Sequence, residues 1–379
     1  MKKNPIVLIT GARPGGIKIA PVYLAFKKAA VPIVLCSTAQ HRSLLDDVFG
    51  VFDIKPDIDL NVMKKNQDLF HVTQEVLIKT KEVFKKINPP LVFVQGDTTT
   101  LLGATLSAFY LSIPIAHMEA GLRTGNIKNP FPEEFNRRTT SSVADLNFAP
   151  TQQAVENLLK EGVSSKKIFC TGNSIVDALR IIKDKIQSGE IIIDENIKKK
   201  VEEIKNNKKK LVVLTAHRRE SLNGGIERIL KAVKSFACAH PEVVFFYPRH
   251  PNPSITKIIN AAKINDIPNI LIAPPVSYPE MVYLLSNSSW VATDSGGIQE
   301  EAVSLGKQTI VLRENTERPE GIWVGLASLV GTNENKIIDA MNKIYADENK
   351  KSSDLINIYG DGFAAEKMVS ICKKFVENL

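Results

Sequence analysis

The chain is expected to fold as two doubly wound α/β halves, each built on a buried parallel sheet. Three observations lead there. Short, nearly all-apolar runs alternate with amphipathic stretches along the whole length, as strands do when helices cover both faces of their sheet. A charged run, KKKVEEIKNNKKK (198–210), interrupts the alternation once, after which it restarts. Finally, 379 residues exceed one ordinary core and suit two domains.

The first half places strands at PIVLIT (5–10), VPIVLCST (31–38), PLVFVQG (90–96), IPIAHME (113–119) and LNFAP (146–150). Helices such as FHVTQEVLIKTKEVFKKI (70–87) and TTTLLGATLSAFYLS (98–112) lie between them. After KKIFCTG (166–172), the stretch SIVDALRIIKDKI and the charged run mark a boundary. The second half then gives KLVVLTA (210–216), EVVFFYP (242–248), NILIAP (269–274), WVATDSG (290–296) and QTIVLRE (308–314). Two such halves imply a cleft, with ligands at the carboxyl ends of the strands.

Hydrophobic content of 44% and charged content of 24% belong to the soluble globular class. No apolar run approaches the roughly 18 residues of a membrane span, and the first residues enter a strand, so neither membrane helix nor signal peptide is expected. Cys36, Cys170, Cys238 and Cys372 form no C-x-x-C pair. That spacing excludes a zinc cluster or disulfide framework and fits a reducing cytoplasm. The net charge of +8 sits largely on lysines scattered or interleaved with acids. A solvated helix and linker explains the 198–210 run better than a nucleic-acid surface, and the balance suits a small anionic substrate.

Chemistry collects at the strand ends. GARPGGIKIAP (11–21) is a Gly-rich loop where α/β proteins hold phosphate, yet Gly11, Gly15 and Gly16 do not spell G-x-G-x-x-G. It carries Arg13 and Lys18 instead. Asp97 and Glu119 are 22 residues apart, one strand–helix–strand unit, so both should leave the same sheet edge. Two neighbouring carboxylates can have their proton affinities pushed apart for acid/base work. The structural alternative has Asp97 capping the next helix and Glu119 pairing with Arg123. NPFPEEFNRR (129–138) sets Glu133 and Glu134 in a first helical turn, where acids are favoured in any case.

In the second half, LTAHRRES (214–221) puts His217, Arg218 and Arg219 after a strand, and PRHPNP (248–253) holds Arg249 and His250. Such a His can serve acid/base chemistry, bind phosphate, or be structural. TDSGGIQEEAVSLGK (293–307) runs strand, tight turn, helix. Free N–H groups, a close-approach glycine pair and the helix dipole make an anion site there. Glu301 is placed to accept ribose hydroxyls, and RENTERPE (313–320) adds Arg313 and Arg318. There is no Walker loop, zinc spacing, G-x-S-x-G or nicotinamide fingerprint. Acids, a His and a diphosphate pocket suit chemistry in which a nucleoside diphosphate leaves a sugar.

GARP…IK.AP, TAQHR (38–42), QGDTTT (95–100), HMEAGLRTG (117–125), P.PEE.NR (130–137), AHRRES (216–221), H.NP (250–253), TDSGGIQEEA (293–302), RENTERPE (313–320) and NIYGDG (357–362) follow one another in this order. Over its whole length the chain resembles the non-hydrolysing bacterial UDP-N-acetylglucosamine 2-epimerases. The resemblance implies a GT-B-like fold: a first Rossmann-like domain over 1–175, with the final helix 364–379 packing back on it, and a UDP-binding one over 176–363. It implies reversible conversion of UDP-GlcNAc to UDP-ManNAc through elimination of UDP, a 2-acetamidoglucal and re-addition, supplying an activated amino sugar for surface polysaccharide. It implies no cofactor and no metal, a cytoplasmic homodimer, and neither nucleic-acid nor membrane partners.

Matched position by position, Asp97, Glu119, Glu133 and His217 fall on the family's catalytic set. Arg13, Lys18, Ser295, Gly296, Gly297, Glu301 and Arg318 fall on its UDP-sugar positions. Gln40, His41, Gln67, Arg218 and His250 fall where many bacterial members bind a second, activating UDP-GlcNAc. The family's usual G-T-R-P-E-A-I-K reads G-A-R-P-G-G-I-K here (11–18), without the hydroxyl and the carboxylate. Ser43, Arg249 and Leu326 are further departures. A related UDP-HexNAc (2,3-diacetamido or deoxy), a UDP-sugar glycosyltransferase of the same fold and a non-catalytic UDP-sugar sensor are the alternatives.

Overall fold

The structure, a computed structural model, describes residues 4–38, 42–64, 67–218, 221–347 and 357–379. The chain divides into two compact units, Met1–Ile181 with Tyr359–Leu379, and Ile182–Ile358. The change of unit falls inside the helix Ser174–Gln187, whereas the expected boundary cuts the same helix at 175/176.

Unit 1 holds a seven-stranded sheet: β1 (Ile6–Thr10), β2 (Ile33–Ser37), β3 (Ile58–Asp59), β4 (Val92–Gln95), β5 (Ile115–Met118), β6 (Leu146–Ala149) and β7 (Ile168–Cys170). Their order is β3-β2-β1-β4-β5-β6-β7, all parallel. Unit 2 repeats the plan with β8 (Lys210–Thr215), β9 (Val243–Pro248), β10 (Ile270–Ala273), β11 (Trp290–Thr293), β12 (Gln308–Val311) and β13 (Ala327–Leu329). Here the order is β10-β9-β8-β11-β12-β13, again all parallel. In each sheet the winding reverses once, between β1 and β4 and between β8 and β11. Helices leave in opposite directions at such a point and open a crevice at the carboxyl ends of the strands.

The central strands are mostly apolar because both faces are covered: every residue of β1, β5, β6, β9 and β11 is buried. The ten expected strands are present, each trimmed at its ends. Three edge strands, β3, β7 and β13, span two or three residues and are too short for the apolar pattern to mark.

Two readings are corrected. Residues 11–21 do not form an extended loop, because a helix begins at Arg13 and runs to Lys28. Pro14 lies at its first positions, where a missing N–H is harmless. The charged run is mostly helix, Glu195–Asn206, capped by Asp194, which accepts from the N–H groups of Asn196 and Ile197. Its Val201 and Ile204 are buried at helical spacing while the lysines point outward. It therefore belongs to unit 2 rather than separating the units.

The chain returns to unit 1 at Tyr359, whose carbonyl accepts the Asn173 N–H at 2.7 Å. A Cβ on Gly172 would lie 2.9 Å from the Gly360 Cα, and both residues have left-handed φ, so this approach requires glycine twice. The helix Ala364–Glu377 then packs on Arg13–Lys28. Its N-terminus is capped from a distance by Asp177, which accepts from the N–H groups of Ala364 (3.2 Å) and Ala365 (2.8 Å).

Burial pushes the Asp177 carboxyl from 3.8 up to about 6, outweighing the two N–H groups that pull it down. A raised folded-state value means the native chain holds more protons than the unfolded chain between these limits. Stability should therefore fall as pH rises from about 4 to about 6, by at most about 3 kcal/mol. Urea denaturation against pH checks this, with Asp177→Asn expected to flatten the slope across that window.

Candidate active site

In unit 1, Asp97 follows β4 and Glu119 follows the adjacent β5, so both carboxylates leave the same edge of the sheet. Neither takes the structural role open to it from sequence. The helix Thr99–Tyr110 is capped by Thr98, whose side chain accepts from Leu101 N–H. Arg123 pairs with Glu161 at 2.7 Å.

Glu119 is almost fully buried and has a left-handed backbone, φ +66. For a non-glycine residue that conformation costs of order 1–3 kcal/mol and persists only where surrounding contacts enforce it. The contacts are present. Lys18, from the helix after β1, pairs with Oε1; Gln95 Nε2 donates to Oε2 at 2.8 Å; and Asn173 Nδ2 reaches Oε1 at 3.4 Å. Every one of these partners donates, which is the arrangement an ionised carboxylate needs. The Lys18 carbonyl in turn accepts Ser174 Oγ–H at 2.7 Å.

Asp97 pairs with Arg137 at 2.5 Å, and its carbonyl accepts from Asn136 Nδ2 at 2.8 Å. Arg137 also reaches Glu134 at 3.2 Å. Asp97 keeps 28% of its side chain exposed, while Arg137 is 3% and Glu134 0% exposed. Of the two adjacent acids, then, Glu134 is built into the protein. Glu133 stays half-buried in the first turn of the helix Glu133–Val143. His117, beside these groups in β5, takes a structural role: Nε2 bonds the Gly96 carbonyl at 3.0 Å and Nδ1 meets Ser141 Oγ at 3.3 Å. Burial depresses its pKa to about 4, so it is neutral at physiological pH.

In unit 2, His217 follows β8 and Asp294 follows its neighbour β11, so the pair spans that unit's switch point. Asp294 is fully buried and accepts from the backbone N–H groups of His217 (2.5 Å) and Arg218 (2.7 Å). Its other oxygen lies 3.2 Å from His217 Nδ1, a charge contact rather than a well-angled hydrogen bond. The contact sets Nδ1 against the carboxylate. The His250 ring stacks on His217, centroids 5.0 Å apart and planes 2° from parallel. His250 Nδ1 accepts from Asn252 N–H.

The helix Gly296–Ser304 begins at Ser295, whose side chain makes no cap bond. By contrast Asp194, Asn252, Ser277 and Asn333 all cap their helices in this unit. The first turn beyond Ser295 is thus left to an outside acceptor. A Cβ at Gly296 would come 2.6 Å from an Arg318 guanidinium nitrogen, so glycine lets that cation lie against the turn, while Gly297 faces open space. Arg318 is oriented by Glu300 at 3.0 Å and by Glu317. Glu301 accepts from the Tyr278 hydroxyl at 2.7 Å.

Arg13 is half-buried at the start of its helix. Gln67 bonds locally, accepting Lys64 N–H and donating to Met63 Sδ. Gln40 and His41 lie outside the described residues. Among the described residues, no group of His, Cys, Asp and Glu could hold a metal ion. No helix there is long and apolar enough to cross a membrane.

Sequence reasoning passed over Gln95, Arg137, Asn173 and Asp294. Three of them lie inside motifs quoted for other residues, which was the available signal. Asn173 had none, because its bond to Glu119 spans 54 positions.

Two Rossmann-like units with these strand ends define a GT-B-like α/β protein. The family model for UDP-N-acetylglucosamine 2-epimerase matches residues 25–373. The UDP-N-acetylglucosamine 2-epimerase of Campylobacter jejuni is 44% identical over 98% of both chains. Among solved structures, UDP-GlcNAc 2-epimerase from Neisseria meningitidis bound to UDP-GlcNAc aligns with TM-score 0.90 and 40% identity, covering 98% of this chain and 100% of that one. The Methanocaldococcus jannaschii enzyme in complex with UDP-GlcNAc and UDP aligns with TM-score 0.83 and 33% identity, covering 98% and 99%. The chain belongs to the UDP-N-acetylglucosamine 2-epimerase family.

Arg137→Met should destabilise the fold by about 3 kcal/mol or more, since it leaves Glu134 buried beside a lost partner. Asp97→Asn, at a more exposed position, should cost less than about 1 kcal/mol. Chemical denaturation of both variants measures the contrast.

Proposed function

We propose that this protein interconverts UDP-N-acetylglucosamine and UDP-N-acetylmannosamine. The observation that carries the proposal is the pair of carboxylates, Asp97 and Glu119, fixed at neighbouring strand ends in a chain of this family. The C2 proton of the sugar is not flanked by a ketone, so its removal needs a departing group in concert. UDP is that group. One carboxylate takes the proton from C2, the C1–O bond breaks with its electron pair going to UDP, and the C1–C2 double bond of a 2-acetamidoglucal forms. Reprotonation of C2 from the opposite face and return of UDP to C1 complete the inversion, with no net oxidation.

Asp97, Glu119 and Glu133 are the groups we assign to moving the C2 proton. The Lys18, Gln95 and Asn173 side chains hold the Glu119 carboxylate in one orientation. Asp97, held by Arg137 and partly exposed, is the more accessible of these two carboxylates. We assign the diphosphate to the uncapped helix start, Ser295–Gly297, with Arg318 beside it, and retain Arg13 and Lys18 as UDP-sugar-binding residues. Glu301 is assigned to the ribose hydroxyls. His217, oriented by Asp294, presents Nε2 to the departing diphosphate. Gln40, His41, Gln67, Arg218 and His250 are retained as the proposed second UDP-GlcNAc site.

Incubation with UDP-GlcNAc in D2O, followed by NMR, tests the assignment. Deuterium should enter C2 as UDP-ManNAc appears, and Asp97→Asn should slow both at least about 100-fold. A chain that exchanges no C2 proton on any UDP-HexNAc is a glycosyltransferase or a sensor instead. Exchange only on a 2,3-diacetamido or deoxy substrate keeps the chemistry and changes the sugar.

A further inference from the structure

Resting on that assignment of Glu119, we infer that Gln95 is a positioning residue for this carboxylate and that glycine at position 15 makes its seat. Gln95 is the last residue of β4. Its Nε2 donates to Glu119 Oε2 at 2.8 Å, whereas Lys18 and Asn173 approach Oε1. Gln95 therefore adds a directed contact on Oε2 to those on Oε1, and so helps to set the rotation of the carboxylate about its long axis.

The other end of the same carboxamide lies over Gly15. A Cβ built there would stand 2.6 Å from Gln95 Oε1 and 3.4 Å from Thr10 Oγ1. A side chain at 15 has to push the carboxamide aside. The amide cannot escape by turning over, because that would set its oxygen against the carboxylate. Gly15 sits inside the helix Arg13–Lys28, where glycine is a poor helix former, so a spatial reason is needed for its presence. The family's usual pattern has a glutamate at this place.

Four proteins test the coupling: the wild type, Gly15→Ala, Gln95→Ala and the double variant, each assayed for C2 deuterium exchange with UDP-GlcNAc. Both single variants should lower kcat about ten-fold with KM within about two-fold of wild type. The double variant should be no slower than Gln95→Ala alone. A purely structural glycine predicts the opposite for Gly15→Ala, since alanine improves the helix and leaves kcat untouched. Wild-type kcat in Gly15→Ala, or losses that multiply to about a hundred-fold in the double variant, overturn the inference. A wild-type protein without exchange defeats the epimerase reading instead. Urea unfolding of the same four chains then decides: alanine at 15 should stabilise more when Gln95 is absent, and strictly additive effects overturn the coupling.

Discussion

The buried pairing of Lys18 with Glu119 is the constraint on which unit 1's site depends. A buried ion pair is costly unless its remaining lone pairs and protons are satisfied. Gln95 and Asn173 supply donors to the carboxylate, and neither can move without exposing that cost. The pair also fixes larger pieces. Lys18 sets the second turn of the helix after β1, and its carbonyl is bonded to Ser174. Asn173 is pinned through its N–H to Tyr359, where the chain re-enters the unit. One carboxylate thus ties together the first helix, the end of β5 and the return of the C-terminal segment. Its left-handed backbone is the strain this network enforces.

Unit 2 solves the same problem with a different hub. Asp294 is buried at the switch point and holds two backbone N–H groups, which shapes the turn after β8 and aims the His217 ring. A carboxylate bonded to rigid backbone is less adjustable than one held by side chains. That difference matches the assigned roles: His217 needs a fixed orientation toward a diphosphate, while Glu119 sits among groups that can be retuned by substitution.

Much of this was legible in the sequence. The alternation of apolar runs and helices yields both sheets, because parallel strands buried on two faces have no polar side to blur the pattern. The pairing of Asp97 with Glu119 at one edge follows from their strand–helix–strand spacing. Edge strands of two or three residues escaped, since β3, β7 and β13 carry too little pattern to read. The charged stretch before β8, read as a solvated helix and linker, is helical but no boundary: only Val201 and Ile204 define its inner face, too little pattern to mark it as part of unit 2. The glycines of residues 11–16 suggested a loop, whereas in the fold they clear space for Thr38, Gln95 and Leu45 around a helix start. Asn173 was invisible, as contacts distant in sequence are to any reading of one chain.

The central claim is that Glu119 moves the C2 proton while the diphosphate is held chiefly by the helix start at Ser295–Gly297. Glu119→Gln separates the two. Calorimetric titration with UDP should give an affinity within about two-fold of wild type, while C2 deuterium exchange falls at least about 100-fold. Exchange at close to the wild-type rate in that variant would contradict the account.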